Sequence, residues 1–162
     1  MQGDDYKTAR VCLNGHATDP SLEPVPTVTP TKEFCDTCGA LTITICQDCN
    51  LRIPGYLRGS MTTIPYSPPS FCKGCGKSFP WTESRLKAAQ ELADEQENLT
   101  PEERETLKNS LDDIVRDTSH ATVGATRFKK LVAKAGKEAA EGFKNILVDI
   151  VSETIRKTIW MS

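Results

Sequence analysis

Four short dyads constrain this chain more than any other feature: Cys12-x3-His16, Cys35-x2-Cys38, Cys46-x2-Cys49 and Cys72-x2-Cys75. They use all seven cysteines and one of the two histidines. Counted by cysteine, Cys12 is an odd thiol; counted by dyad, His16 is its mate. Eight thiolate and imidazole ligands suit two tetrahedral zinc sites. The residues around them fit. A metal knuckle turns the chain so tightly that a residue tolerant of positive φ is needed, Gly first and Asn next. Gly39, Asn50 and Gly76 directly follow the three Cys-x2-Cys pairs, and Asn14 and Gly15 lie between Cys12 and His16. Disulfides would leave one cysteine over, and a thioredoxin-like redox pair calls for one pair at a helix start rather than three pairs in loops. Iron in the all-cysteine set fits the same geometry.

Spacing limits which dyads can share a metal. Between Cys38 and Cys46, Leu41, Ile43 and Ile45 alternate with Thr42 and Thr44, the period of a half-buried strand. Extended, that stretch spans roughly 25 Å, whereas ligands of one zinc lie within about 4 Å of each other. The second and third dyads therefore belong to different sites. Two pairings remain. The sequential one groups Cys12, His16, Cys35 and Cys38 as site 1 and Cys46, Cys49, Cys72 and Cys75 as site 2. The cross-braced one joins the first dyad to the third and the second to the fourth. Sequential pairing is favoured, because it closes two compact loops instead of two long interleaved ones. Either way each metal has four protein ligands and no open position, the mark of a structural site. Such binding energy is folding energy, on the order of 10 kcal/mol or more. Three thiolates and an imidazole around a dication leave one negative charge, and four thiolates leave two. Lys73, Lys77 and Arg52 stand close enough in sequence to offset the second.

The chain has 162 residues, 38% hydrophobic and 6% aromatic, with a formal charge of −2. This balance gives no global pull toward nucleic acid or anionic lipid. The polar, acidic N-terminus does not resemble a secretory signal, and no apolar run is long enough to span a bilayer. A soluble, cytoplasmic protein is expected. The grammar changes near Trp81. Residues 1–81 hold every cysteine and nine of the ten prolines. With so small an apolar inventory they need a metal staple to fold. The proline-rich stretches 20–30 and 54–69 read as stiff, extended loops. Residues 82–162 hold no cysteine and one proline and read as helix. The expected domains are 1–81 and 82–162.

The segments CLNGH, FCDTCGALTI, CQDCN and FCKGCGKSFPWTE, together with SLDDIVRDT, RFKKLVAKAGK and ILVDIVSETIRK, resemble a bacterial family of zinc-ribbon proteins, domain of unknown function 2321. The likeness covers most of the chain, and the family's ligand dyads land on the eight positions above. It implies a double zinc ribbon followed by helices, and no activity.

In the second half, Thr82 can cap a helix to about residue 97, with Leu86, Ala89, Leu92 and Ala93 on one face. Thr100, Pro101 and Glu103 form a capping box for a helix to about Asp117. A third helix covers about 121–136, ending at Gly136. A fourth, about 138–160, is apolar over a wide arc that includes Phe143, Ile146, Leu147, Val148, Ile150, Val151, Ile155 and Ile159. Such an arc belongs in a bundle core, in a homo-oligomer contact, or against a membrane surface through Trp160, Arg156 and Lys157. Residues 82–118 carry five basic and eleven acidic side chains, and 119–162 eight and four. Opposite signs favour packing of the two helical pairs. His120, far from any cysteine, is expected at a helix start or in solvent.

The expected architecture is α+β: an N-terminal double zinc ribbon of short β-hairpins around two zinc sites, then three to four helices. The expected role is a non-enzymatic protein-interaction module, with two zinc ions per chain and residues 51–70, including Tyr56 and Tyr66, as a recognition surface for a protein partner. Nucleic-acid binding is the alternative. It is disfavoured because residues 1–81 carry seven basic and seven acidic side chains; the basic patch is Arg127, Lys129, Lys130, Lys134 and Lys137. A cross-braced, ubiquitin-ligase-like zinc domain is a lesser alternative. No catalytic triad, phosphate-binding glycine loop or spare histidine near carboxylates points to an enzyme.

Overall fold

The computed structural model describes residues 5–23, 33–61 and 63–161. Among these residues it is an α+β protein of four short strands followed by five helices. Two compact units meet between Thr82 and Glu83.

In the first unit, β1 (Tyr6–Cys12) is the central strand. Its residues alternate so that Ala9 and Val11 are fully buried. β2 (Ala17–Leu22) pairs with it antiparallel along one edge. β3 (Thr42–Ile43) pairs with its C-terminal end, Val11 opposite Ile43 and Cys12 opposite Thr42. β4 (Pro54–Leu57) pairs with its N-terminal end, Tyr6 opposite Leu57. One apolar cluster fills this unit: Ala9, Val11, Ile43, Cys46, Ile53, Cys72, Phe79 and Trp81, with Leu13, Leu51 and Tyr66 packed on it. Gly55 has a steric reason to be glycine. A Cβ there would lie 2.1 Å from the Pro20 carbonyl oxygen.

Proline-rich sequence is more ordered here than its composition suggests. Pro54 opens β4, where a missing N–H costs least. Residues 20–22 close β2, while 24–30 lie outside the described residues. The GALTITI segment is strand only at Thr42–Ile43. Ile43 is buried as the alternation requires, but Ile45 is 40% exposed, because it bridges to Arg52 in the next knuckle's hairpin.

The second unit is helical. α1 (Pro80–Asp94) starts two residues before Thr82, since proline suits a first turn and the Thr82 hydroxyl donates to the Ser70 carbonyl instead of capping. α2 (Pro101–Arg116) has the expected reciprocal box: Thr100 Oγ1 accepts from the Glu103 N–H, and the Glu103 carboxylate accepts from the Thr100 N–H. It ends at Asp117 with φ 49°. α3 (Ala121–Ala135) and α4 (Lys137–Leu147) meet at Gly136, whose φ of 117° makes the corner. α5 (Glu153–Trp160) follows Ser152, whose hydroxyl accepts from the Ile155 N–H.

The single last helix expected over 138–160 is thus two, giving five helices rather than three or four. The wide apolar arc resolves into separate stripes: Ala139, Phe143 and Leu147 on α4, Ile150 and Val151 in the turn, Ile155 and Ile159 on α5, all buried. Phe128 of α3 meets Phe143 edge-on at 5.5 Å and Trp160 at 6.4 Å. Gly124 lets α3 approach α2, where a Cβ would sit 3.3 Å from the Ser110 carbonyl and 3.0 Å from the Asp113 Cβ. The opposite charges of the two helical pairs meet in Lys134–Glu103 at 2.6 Å, while Arg85–Asp149 at 3.2 Å joins them in the reverse sense. His120 is exposed at the start of α3 and makes no side-chain cap. Among the described residues, no helix is long and apolar enough to cross a membrane.

Candidate metal centres

Three of the four dyads adopt one local conformation. The N–H of Cys35, Cys46 and Cys72 donates to the carbonyl five residues on, at Ala40, Leu51 and Lys77. The N–H of Gly39, Asn50 and Gly76 donates back to those same cysteines. That closure needs a left-handed residue, and Gly39, Asn50 and Gly76 have φ of 74°, 63° and 76°. Hairpin bridges extend each knuckle: Phe34–Leu41, Ile45–Arg52 and Phe71–Ser78. The first dyad is tighter. Cys12 N–H donates to the His16 carbonyl, Gly15 N–H donates to the Cys12 carbonyl, and Gly15 takes φ 92°.

These turns gather the eight residues into two groups, Cys12, His16, Cys35 and Cys38, and Cys46, Cys49, Cys72 and Cys75. Within each group all ligand atoms lie within 4.8 Å of one another. The grouping is sequential, and the cross-braced arrangement is not what forms. The closest distances are Cys12 Sγ to Cys38 Sγ at 3.7 Å, Cys49 Sγ to Cys72 Sγ at 3.5 Å and Cys46 Sγ to Cys75 Sγ at 3.8 Å. Tetrahedral zinc with bonds of about 2.3 Å places its sulfurs about 3.8 Å apart. Nδ1 is the imidazole nitrogen turned inward, 3.4 Å from Cys12 Sγ and 3.7 Å from Cys35 Sγ. Both clusters could hold a metal ion, and their donor sets fit one. The first cysteine of every dyad is buried, Cys12 at 0% and Cys35, Cys46 and Cys72 at 3% exposure. Cys38 and Cys75 face solvent.

Amide donors surround the sulfurs. Burial works against ionisation of Cys72, but the N–H groups of Cys75 and Gly74 outweigh it and bring the thiol down to about 7. Across the same cluster Cys49 is pushed up to about 12: the Leu51 N–H lowers it, but burial and the neighbouring cysteines prevail. In the first cluster Cys38 is lowered by the Ala40 N–H and then by the Asn14 side chain, whereas burial raises Cys12. A bound dication would supply the positive charge that lets all the thiolates of a cluster coexist, displacing protons as it enters.

Sequence reasoning missed some supporting residues and misplaced others. Asn14 Nδ2 donates to Cys38 Sγ at 3.3 Å, a side-chain bond across the two dyads of the first cluster. Its position between two ligands was the available signal. Trp81 lies against the first knuckle, its Cβ 3.0 Å from where a Gly15 Cβ would be. Of the cations expected to offset the all-thiolate cluster, Lys77 is held above its ordinary value first by Asp48, 3.1 Å away, and then by the charges of Cys75 and Cys46, whereas Lys73 lies over the Tyr6 ring and Arg52 reaches Thr8. Tyr56 and Tyr66 are half-buried, edge-on at 5.6 Å, and their hydroxyls donate to the carbonyls of Ile64 and Pro54. Among the described residues of the first unit, the exposed large apolar side chains are instead Tyr6, Phe34, Ile45, Leu57, Met61 and Ile64.

The family model of the uncharacterized bacterial proteins called domain of unknown function 2321 matches residues 5–159. The chain belongs to this family. The match runs through both clusters and the helices as far as residue 159, so in this member of domain of unknown function 2321 the Cys/His clusters and the helical part lie within one family unit. No curated protein and no solved structure matches the chain.

Proposed function

We propose that this member of domain of unknown function 2321 is a zinc protein whose two metals are structural, and that it serves as a protein-interaction module in the bacterial cytoplasm. One observation carries this reading: each cluster supplies four protein ligands at tetrahedral spacing, leaving no coordination position for water or substrate. Zinc is favoured over iron by the mixed thiolate and imidazole set at the first cluster. A reducing compartment suits seven unpaired cysteines.

The metals would organise a surface. Phe34 and Ile45 directly precede the first cysteine of a knuckle and are 63% and 40% exposed. Met61 and Ile64, on the loop after β4, are 97% and 72% exposed. Apolar side chains held outward by a rigid turn suit a protein contact better than phosphate recognition. The basic stretch of α3 offers less to nucleic acid than its sequence promises, since Lys134 pairs with Glu103 and Lys129 Nζ donates to the Thr158 carbonyl.

The test is crosslinking in the bacterial host with the metal-loaded chain, the Phe34→Asp/Ile64→Asp variant and a metal-site variant. A specific partner captured by the first and lost from both others supports the module. Equal capture by all three, or salt-dependent binding to DNA or RNA by the intact chain, contradicts it.

A further inference from the structure

We propose that the two metal centres bind cooperatively, and that Trp81 and β1 carry the coupling. The proposal rests on the zinc reading above.

Neither centre has a core of its own. Cys46 and Cys72 of the second cluster lie in the same buried apolar group as Ala9, Val11 and Ile43, beside Cys12 of the first. β1 ends in Cys12, and it and the residue that follows are hydrogen-bonded to the backbone on both sides of the third dyad. Leu13 N–H donates to the Leu41 carbonyl before it, and Ala9 N–H donates to the Ile53 carbonyl after it. Ile53 N–H in turn donates to the Thr44 carbonyl, on the segment joining Cys38 to Cys46.

Trp81 makes the second link. Its side chain lies on Gly15, between Cys12 and His16. Its indole Nε1–H donates to the Pro69 carbonyl at 3.0 Å. Phe79 stacks on it at 4.7 Å, and the Phe79 N–H donates to Ser70, next to the knuckle of Cys72. One 2%-exposed side chain therefore lies against the first turn and is tied to the segment that leads into the turn of Cys72.

The consequence is thermodynamic. This unit cannot order itself without metal, so the first ion to bind does the ordering, and the second binds a partly ordered chain. That is positive coupling, and linkage makes it reciprocal: each metal raises the other's affinity by the same factor.

The experiment uses the full chain carrying Trp160→Phe, which leaves Trp81 as the single tryptophan. Zinc and then cobalt are titrated against a chromophoric chelator, following Trp81 emission and the cobalt d–d bands. Three forms are compared: all ligands intact, first centre broken (Cys12→Ser/His16→Ala), and second centre broken (Cys72→Ser/Cys75→Ser). The intact chain is expected to load both metals in one transition. Each broken chain should hold its remaining metal about 5- to 150-fold more weakly, by the same factor in both directions. Two independent transitions, with the remaining metal held at its original affinity in the broken chains, overturn the coupling. An intact chain that binds one metal or none overturns the zinc reading instead. Trp81→Leu keeps all eight ligands, so it tests the route even if a broken chain does not fold. It should split the single cobalt transition in two, and an unchanged single transition refutes the route.

Discussion

Gly15→Ala asks whether the first knuckle is held by its backbone conformation alone or also by the tryptophan packed against it. Three knuckle glycines have positive φ: Gly15 at 92°, Gly39 at 74° and Gly76 at 76°. A Cβ at Gly39 or Gly76 would meet nothing within 4 Å. There the substitution costs left-handed strain of roughly 1–2 kcal/mol, partly offset by a stiffer unfolded chain, leaving a net loss of about 1 kcal/mol. At Gly15 the new methyl would also stand 3.0 Å from Trp81 Cβ and 3.3 Å from its Cγ. Those atoms belong to a buried side chain whose ring is fixed by stacking and by a hydrogen bond, so they cannot swing clear. Overpacking of this kind adds about 1–3 kcal/mol, for a total of roughly 2–4 kcal/mol. The assay is denaturant unfolding of zinc-loaded chain, with Trp81 as reporter in the Trp160→Phe background. The difference between Gly15→Ala and Gly39→Ala isolates the tryptophan contact. Equal losses in the two would refute the packing argument, and no loss in either would refute the knuckle geometry.

Thr100→Ala should destabilise the helical unit by about 1 kcal/mol in thermal unfolding followed at 222 nm, because it removes half of a reciprocal cap. Lys134, followed by the Thr100 N–H, holds the Glu103 carboxyl below its ordinary value. Glu103's contribution is therefore present above the ordinary carboxylate range and is lost as pH falls through the lowered folded value; Glu103→Gln should flatten this acid dependence. Excess chelator should abolish the native Trp81 emission while leaving most helical ellipticity, since the helices lie in a unit with no cysteine. Simultaneous loss of both signals counts against that separation.

The ligand dyads and knuckle turns were legible because their chemistry is local. Two cysteines three positions apart in a tight turn impose a geometric requirement on the residue that follows, and it points to Gly39, Asn50 and Gly76. The capping box at Thr100 was legible for the same reason. What escaped was set by tertiary contact. Thr82 looks like a cap, yet its hydroxyl is taken by Ser70, so the helix begins at Pro80. The break between α4 and α5 was hidden because Val148, Ile150 and Val151 continue an apolar pattern through a turn, with Ser152 as the sole local sign. Tyr56 and Tyr66 looked like surface aromatics in a proline-rich loop, but that stretch folds back on itself and its own carbonyls occupy their hydroxyls. The roles of Asn14 and Trp81 depend on which dyads meet, and spacing left two pairings open.

Metal content is the most direct test of two structural zinc sites. The 162-residue chain purified without added metal and without chelator should carry two zinc ions per chain by inductively coupled plasma mass spectrometry, with iron absent. His16→Ala should lower that number and His16→Cys should preserve it. One zinc or none in the intact chain, or a His16→Ala variant that keeps two, contradicts the account.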